Sequence, residues 1–354
     1  YSMNIVAVRC FMDTVTPQLG IEYAQNMGIT SLTKDDLGGA AALGGLSKGV
    51  SNLELTAAYA SIANSGVYTK PRFFTKILDH NGKVLLENEP QTKRVLKDST
   101  AFLLTDALAE SMESSRMYAS PGVNLNSTSV PANIPGMSNA GKSGTTTSNV
   151  DIWFVGYTPY YTAGIWSGCD DNQKISAIGS STSYHKRIWK QIMARAHEGL
   201  ADTGFPVPDS IETASVCRKS GMLPNPGVCE ADPRGSAVYT EYFAKGTVPT
   251  QVCDHHVAIT VCGESGGLPT EFCPLESRHS RTVLVTPEGE SGGTDDSRYA
   301  MPGPCTVHTQ SAVVLPSESE TAAPDSGTVP ETTAPFIPSS PLDDIYIPVG
   351  PGYM

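Results

Sequence analysis

The residues with the clearest chemical potential form a short run of small side chains, Gly141-Lys142-Ser143-Gly144-Thr145. Lys142 offers an ammonium, Ser143 and Thr145 offer hydroxyls, and the two glycines let a ligand approach the backbone closely. These groups together suit the binding of a carboxylate or the stabilisation of an oxyanion. Because threonines favour extended backbone, the run is predicted to be a ligand-binding strand.

The segments around this run are predicted to build the sheet that positions it. Residues 153–157 are apolar and aromatic, and residues 162–168 follow a turn at Pro159, which predicts an antiparallel meander. The sequence Asn81-Gly82 between two apolar runs predicts a hairpin. Caps and helical periodicity predict helices over residues 17–27, 53–64, 98–115 and 184–200.

A second candidate motif opens the chain, where Ser2-Met3-Asn4 precedes the helical segment Ile5–Arg9. A serine at such a position is most often a helix cap. Because Ser2-Met3-Asn4 precedes the Gly141–Thr145 run in the chain, it can also be interpreted as a second functional motif.

Together these motifs resemble the penicillin-binding proteins and serine β-lactamases, and the class A (bifunctional) penicillin-binding proteins in particular. That family has a Lys-[Ser/Thr]-Gly strand and a Ser-x-Asn loop, and segments 43–68 and 140–159 are similar to it as well. The resemblance implies an α+β transpeptidase fold, an antiparallel sheet flanked by helices. It implies catalytic roles for Ser2, Lys142 and Thr145, and substrate binding by Asn4, Ser143, Gly144 and Thr145.

The resemblance also implies a function, that of a peptidoglycan D,D-transpeptidase of the serine-type D-Ala-D-Ala transpeptidase/carboxypeptidase family. Its partners would be peptidoglycan stem peptides and β-lactam antibiotics, on the cell-wall side of a bacterial membrane. The full-length protein would also be a peptidoglycan glycosyltransferase. No cofactor, metal or nucleic acid is expected, and the net charge of −12 argues against nucleic acid. The sequence contains no run of 18 apolar residues, so no membrane span is predicted in it.

The nucleophile of the family, the serine of Ser-x-x-Lys, precedes Ser-x-Asn, but only Tyr1 precedes Ser2 here. Ser31-x-x-Lys34 and Ser183-x-x-Lys186 come later and are interpreted as chance matches. Residues 1–203 are therefore expected to be the carboxy-terminal part of a transpeptidase domain, incomplete at its N-terminus. The missing part of the same protein would be needed for activity, and its loss is expected to expose Trp153, Val155 and Ile165.

Residues 204–305 are predicted to be a separate extension, because Cys-x-x-Ser-Gly-x-Leu-Pro occurs at Cys217 and again at Cys262. A further cysteine follows each copy, and the disulfide candidates are Cys217–Cys229 and Cys262–Cys273. Cys253 and Cys305 are left to pair, and Cys10 and Cys169 are expected to be buried thiols. A zinc site at Cys253-Asp254-His255-His256 is the alternative, although Cys-x-x-Cys spacing is absent.

Residues 306–354 are rich in Pro, Ser and Thr and contain no Lys or Arg, which predicts a disordered tail. Two other functions stay open. The chain could be a non-enzymatic wall-binding module with a degenerate domain, which the absence of Ser-x-x-Lys upstream would support. The string Gly263-Glu264-Ser265-Gly266-Gly267 matches a serine hydrolase motif, but that motif requires a following helix.

Overall fold

The computed structural model describes residues 4–113, 127–171, 173–175, 183–290, 292–293 and 296–309. Ser2 and residues 310–354 of the predicted tail lie outside this range. The first compact unit extends to Thr309. Residues 306–309, which the sequence assigns to the tail, therefore belong with the residues before them.

The helices of the first part begin and end close to the positions that the sequence predicts. At the start of the third helix, the Ser51 hydroxyl accepts a hydrogen bond from the Glu54 N–H at 3.2 Å, as the predicted cap requires. Gly28 follows the second helix with a φ of 95°, a conformation that favours glycine. The α-helices are α1 Asn4–Arg9, α2 Pro17–Asn26, α3 Asn52–Ala63, α4 Asp98–Glu110 and α5 Tyr184–Ala196, and a π-helix, Cys10–Val15, joins α1 to α2.

The strands of the first part form two small ribbons and one three-stranded sheet. Strand β1 (Val67–Thr69) pairs with β4 (Thr92–Arg94), and β2 (Lys76–Leu78) pairs with β3 (Val84–Glu87) around the predicted Asn81-Gly82 turn. The predicted meander is confirmed as an antiparallel sheet in the order β5-β6-β7. Its strands are β5 Ala140–Thr145, β6 Asp151–Tyr157 and β7 Thr162–Gly168.

Helices cover both faces of this sheet. On one face the buried Phe154 packs edge to face on Trp189 of α5, with ring centroids 5.1 Å apart. On the other face Tyr157 packs with Ile62 of α3, and its hydroxyl lies 2.9 Å from that of Thr105 on α4. Each buried side chain of this size contributes about 1.5–3 kcal/mol, so the sheet is the core of the domain.

The predicted exposure of Trp153, Val155 and Ile165 is wrong for Val155, which is 2% exposed. Trp153 and Ile165 are half-buried. The register also separates these residues, because Ile165 lies opposite Phe154 and so shares its face, away from Val155. Among the described residues, helices contact both faces of the sheet.

Two sheet glycines are required by packing within the protein. A Cβ at Gly141 would lie 2.7 Å from Phe154 Cζ, and a Cβ at Gly156 would lie 2.8 Å from Trp189 Cζ2. Gly141 therefore lets the aromatic core approach the sheet, which is a different role from the predicted approach of a ligand.

The extension consists of two similar antiparallel hairpins. Strand β8 (Ile211–Cys217) pairs with β9 (Val238–Ala244), and β10 (His256–Cys262) pairs with β11 (Arg278–Leu284). Strands β8 and β10 have the same order of buried and exposed residues. Parallel bridges join Leu223 to Val252 and Leu268 to Pro304 at equivalent places, so the sequence repeat is also a structural repeat.

Cys10 and Cys169 are both exposed, so the prediction that they are buried thiols is wrong. Within the described residues, no helix combines the length and the apolar character that a membrane crossing needs.

Candidate functional site

The predicted ligand-binding residues lie on β5, an edge strand of the central sheet. Within the described part of the chain, β5 pairs with β6 along one side only. Lys142, Ser143 and Gly144 are half-buried and Thr145 is exposed. The strand therefore combines reachable side chains with backbone groups that a further extended segment could pair with.

A relay of contacts from α5 fixes the hydroxyl of Ser143. The Ser143 Oγ lies 2.8 Å from the Thr128 Oγ1. The ammonium of Lys186, which is 8% exposed, donates to the Thr128 carbonyl at 2.7 Å. Lys186 thus positions Thr128 and, through it, Ser143. No sequence motif indicates this role, because Lys186 and Thr128 are 58 positions apart.

The site has a positive electrostatic character. Lys142 donates from Nζ to the Ser143 carbonyl at 3.0 Å, and burial lowers the pKa of Lys142. Burial and, after it, the charge of Lys142 lower the pKa of Lys186. An anion bound near these two ammonium groups would relieve their repulsion and oppose both shifts. The arrangement therefore favours a carboxylate ligand.

The other predicted site residues stand apart from this strand or outside the described residues. Ser2 is not described. Asn4 is the exposed first residue of α1, and no hydrogen bond within the described residues joins it to β5. The Ser31 hydroxyl donates to the Gly49 carbonyl at 2.6 Å, and Ser183 immediately precedes α5. That neither serine is a nucleophile stays a prediction.

The six cysteines of the extension are unbonded and buried, and they form two groups with one histidine each. Sγ of Cys217 lies 3.5 Å from that of Cys253, whereas a disulfide bond is about 2.05 Å long. The groups are Cys217, Cys229, Cys253 and His256, and Cys262, Cys273, Cys305 and His308.

The predicted disulfides Cys217–Cys229 and Cys262–Cys273 are therefore absent from the structure. In each group, a third cysteine and a histidine lie beside the two cysteines of the predicted pair. The separation of cysteines along the sequence therefore does not determine which of them lie together. Cys253 and Cys305 lie in different groups, and their predicted pairing is wrong.

A repeated Cys-x-x-His could have revealed these groups in the sequence. It occurs at Cys253–His256 and again at Cys305–His308. The second copy ends at His308, which lies in the segment predicted to be the tail. The expected absence of a metal site therefore needs revision, and the metal alternative at Cys253 extends to both repeats.

The candidate hydrolase string around Ser265 has a structural explanation. Ser265 lies in the turn after β10, where its Oγ accepts from the Gly267 N–H at 3.2 Å. No helix is present over residues 267–274. The strand–turn–helix frame of a nucleophilic serine is thus missing.

Comparison with known proteins identifies the class. Residues 18–194 match the family model described as the penicillin binding protein transpeptidase domain. Residues 207–258 match the penicillin-binding protein 1A C-terminal domain. The chain belongs to the penicillin-binding protein transpeptidase family, and the resemblance drawn from the Lys-Ser-Gly strand is confirmed.

Individual relatives are named penicillin-binding protein 1A. One from Clostridium botulinum is 36% identical over 285 residues, covering 80% of this chain and 32% of that protein. One from Bacillus subtilis, named 1A/1B, is 33% identical over 269 residues, covering 71% and 27%. The crystal structure of penicillin-binding protein 1A from Haemophilus influenzae shares the fold, with a TM-score of 0.57 at 24% identity over 71% of this chain and 39% of that one. The chain spans about a third of the length of the curated relatives it matches.

Proposed function

We propose that this chain forms the carboxy-terminal part of the acyl-transfer centre of a peptidoglycan D,D-transpeptidase. The substrates are stem peptides that end in D-Ala-D-Ala, and β-lactams bind as covalent inhibitors. Membership of the family supports this proposal, together with relatives whose names state that they bind penicillin. The full-length protein would act on the cell-wall side of the membrane and would also carry glycosyltransferase activity.

The observation that carries the proposal is the open edge of β5. An extended peptide can add to such an edge as a further strand, using main-chain hydrogen bonds for affinity. The hydroxyls of Ser143 and Thr145 then hold the terminal carboxylate, and Lys142 supplies the charge that attracts it. Gly144 faces Trp153, whose Cβ would lie 3.3 Å from an added Cβ, so a larger residue would disturb the strand.

The reaction has two acyl-transfer steps. A serine hydroxyl, not assigned to any residue here, attacks the carbonyl between the two D-alanines and forms an ester as the terminal D-alanine leaves. The serine proton passes to the leaving amine with Ser2 as relay, and Asn4 binds the peptide backbone. The amine of a second stem peptide then attacks the ester, forms the cross-link and releases the serine.

Thr145 acts on the charge that develops during both steps. Its backbone N–H is one donor to the oxyanion of each tetrahedral intermediate. Removing one such donor commonly costs about 100- to 1,000-fold in rate. Because the donor is a main-chain group on a strand, its position depends on the pairing of β5 with β6.

Labelling of the full-length protein with a fluorescent penicillin tests the proposal. Lys142→Ala should lower the acylation rate by about 100-fold or more, because the carboxylate loses its charged partner. Lys34→Ala is the control, since Lys34 is an exposed lysine after Ser31. Its labelling should match that of the unchanged protein.

Three outcomes would contradict the proposal. Unchanged labelling of Lys142→Ala would remove Lys142 from the site. An adduct on Ser31 or Ser183, located by peptide mass spectrometry, would show that one of those serines is the nucleophile. A folded full-length protein that no β-lactam labels would favour the wall-binding module.

A further inference from the structure

We propose that the two cysteine–histidine groups are structural zinc sites, each binding one Zn²⁺ through three thiolates and one imidazole. The first site is Cys217, Cys229, Cys253 and His256, and the second is Cys262, Cys273, Cys305 and His308. Within each group, one ligand atom from every residue lies within 4.8 Å of all the others.

The separations in the first group fit a tetrahedral ion. Bonds of about 2.3 Å to sulfur and 2.0–2.1 Å to nitrogen place tetrahedral ligands about 3.8 Å apart for two sulfurs and about 3.6 Å for sulfur and nitrogen. Sγ of Cys217 lies 3.5 Å from that of Cys253. The Nδ1 of His256 lies 3.5, 3.7 and 3.3 Å from the sulfurs of Cys217, Cys229 and Cys253.

The far side of the His256 ring is arranged as in a metal-bound histidine. Its Nε2 lies 2.7 Å from Oδ2 of Asp232, and both side chains are fully buried. A proton held on Nε2 by this carboxylate leaves Nδ1 free to bind a metal. Arg234 in turn forms a salt bridge with Asp232, with 2.9 Å between Nη2 of Arg234 and Oδ2 of Asp232.

The second group repeats this arrangement with different residues. The Nδ1 of His308 lies 3.4 Å from the Cys262 sulfur and 3.6 Å from the Cys305 sulfur. Its Nε2 lies 3.5 Å from Oε1 of Glu264. The acidic partner thus comes from the turn after β10 in this site, whereas Asp232 follows Cys229 in the first. In both sites an acidic side chain therefore faces Nε2 of the histidine, although it comes from different positions in the sequence. This similarity argues that the two sites bind the same kind of ligand.

Backbone N–H groups point at the sulfurs in both sites. The N–H of Asn225 donates to Cys229 Sγ at 3.2 Å, and that of Thr270 donates to Cys273 Sγ at 3.3 Å. The His308 N–H donates to Cys305 Sγ at 3.3 Å. Such bonds stabilise thiolates, the form in which cysteine binds metal.

The extension has little else to hold it together. Its described residues contain twelve buried apolar side chains, and six of them are the cysteines of these groups. Small domains with cores of this size usually need disulfides or a metal. Because each group has three cysteines, disulfide pairing within it would always leave one thiol over, whereas a metal uses all three and the histidine.

The ligand set identifies the metal and its role. Three thiolates and an imidazole in a closed four-ligand group are typical of structural zinc. Since the protein already fills all four tetrahedral positions, none remains for water or substrate. The metal would stabilise the extension and would take no part in acyl transfer.

The test is to count metal on the whole 354-residue chain, purified under reducing conditions and dialysed in a metal-free, non-chelating buffer. Elemental analysis should give two zinc ions per chain. Co²⁺ exchanged for the zinc should produce the thiolate charge-transfer bands and d–d absorption of a tetrahedral sulfur-rich site.

Two neighbouring histidines provide matched variants. His256→Ala should lower the zinc content from two ions to one. His255→Ala is the control. His255 is also buried, but it contacts the carboxylates of Asp254 and Glu290, which lie outside the cysteine–histidine group. It should retain both ions. His308→Ala should lose the other ion, and the double variant should lose both.

Asp232→Asn tests the orientation of the His256 ring. Losing this carboxylate partner typically lowers metal affinity 10- to 100-fold, measured by competition with a chromophoric chelator. Asp254→Asn, which alters the partner of His255, should leave the affinity unchanged.

Several results would overturn the assignment. A folded chain without metal, or with iron in its place, would do so. So would disulfide-linked Cys217–Cys229 and Cys262–Cys273 peptides in material that was never exposed to an oxidant. Equal zinc loss in His255→Ala and His256→Ala would show that the content reports folding alone. Since the count on the unchanged chain needs no variant, it decides even if a variant fails to fold.

Discussion

The transpeptidase part and the extension keep their chains folded in different ways. Around the central sheet the buried residues are large, and they include Phe154, Trp189 and Met112, each 1% exposed or less. In the extension, six of the twelve buried apolar side chains of the described residues are cysteines, and His256 is 1% exposed. One region is stabilised by apolar area, and the other depends on what its cysteines bind. The same chain should therefore contain two parts that respond to different perturbations.

Removal of metal should produce the largest difference between the two regions. Structural zinc contributes an apparent free energy of about 10–16 kcal/mol in small zinc-binding peptides. A strong chelator should therefore abolish amide-exchange protection in β8–β11 and leave that of β5–β7 in place. Restoring zinc should restore the protection. Uniform loss, or no loss, would mean that the regions do not differ in this way.

Truncation of the aromatic core should produce the opposite pattern. Trp189→Ala removes a fully buried ring and should cost about 3–5 kcal/mol of the free energy of unfolding of the sheet region. The zinc content should stay at two ions per chain. Trp166→Ala, at a tryptophan that is 38% exposed, should cost less. Chemical denaturation followed by exchange in β5–β7 measures both.

Acid should weaken the transpeptidase part through His185. Burial and, after it, the charge of Lys186 lower the pKa of His185 to about 4. As the pH falls, the unfolded chain, in which histidine has a pKa of about 6.5, binds a proton on His185 before the folded chain does. The contribution of His185 to the free energy of unfolding is therefore fully present above pH 6.5. It falls by about 3 kcal/mol as the pH drops to 4.

His185→Phe should remove this component of the pH dependence. The exposed His80 is the control, and His80→Phe should leave the slope of stability against pH unchanged. Denaturation midpoints across this pH range provide the measurement. A slope that His185→Phe does not alter would show that other groups cause the acid sensitivity.

The smallest expected effect concerns the contact between the two regions. Phe102 on α4 and Tyr242 on β9 meet edge to face, with ring centroids 5.1 Å apart. Such a pair contributes about 0.5–1.5 kcal/mol beyond its buried area. A double-mutant cycle with Phe102→Leu and Tyr242→Leu should give a coupling in this range. A coupling near zero would mean that the regions are stabilised independently.

Local patterns made much of the transpeptidase part predictable. The cap at Ser51, the turn at Asn81-Gly82 and the meander over β5–β7 each depend on neighbours close in sequence, so the residue types carry the information. The candidate strand was found for the same reason. The relay from Lys186 through Thr128 to Ser143 joins residues 58 and 15 positions apart, and no local pattern reports it.

The cysteine groups were missed for a related reason. Their third and fourth ligands, such as Cys253 and His256, reach the site through the parallel bridge between Leu223 and Val252. A bridge of this kind depends on long-range folding of the chain. The repeated Cys-x-x-His is a local signal of the two groups, but its second copy extends into the segment that is predicted to be the tail.

The position of His256 has a consequence for how the extension is made. This residue is the first of β10, so a strand of the second repeat supplies the last ligand of the first group. The repeats interlock, and neither could be cut out cleanly as an independent module. During synthesis, the first group can be completed only after the ribosome has released the beginning of the second repeat. Any gain or loss of a repeat in a descendant protein would have to preserve this overlap.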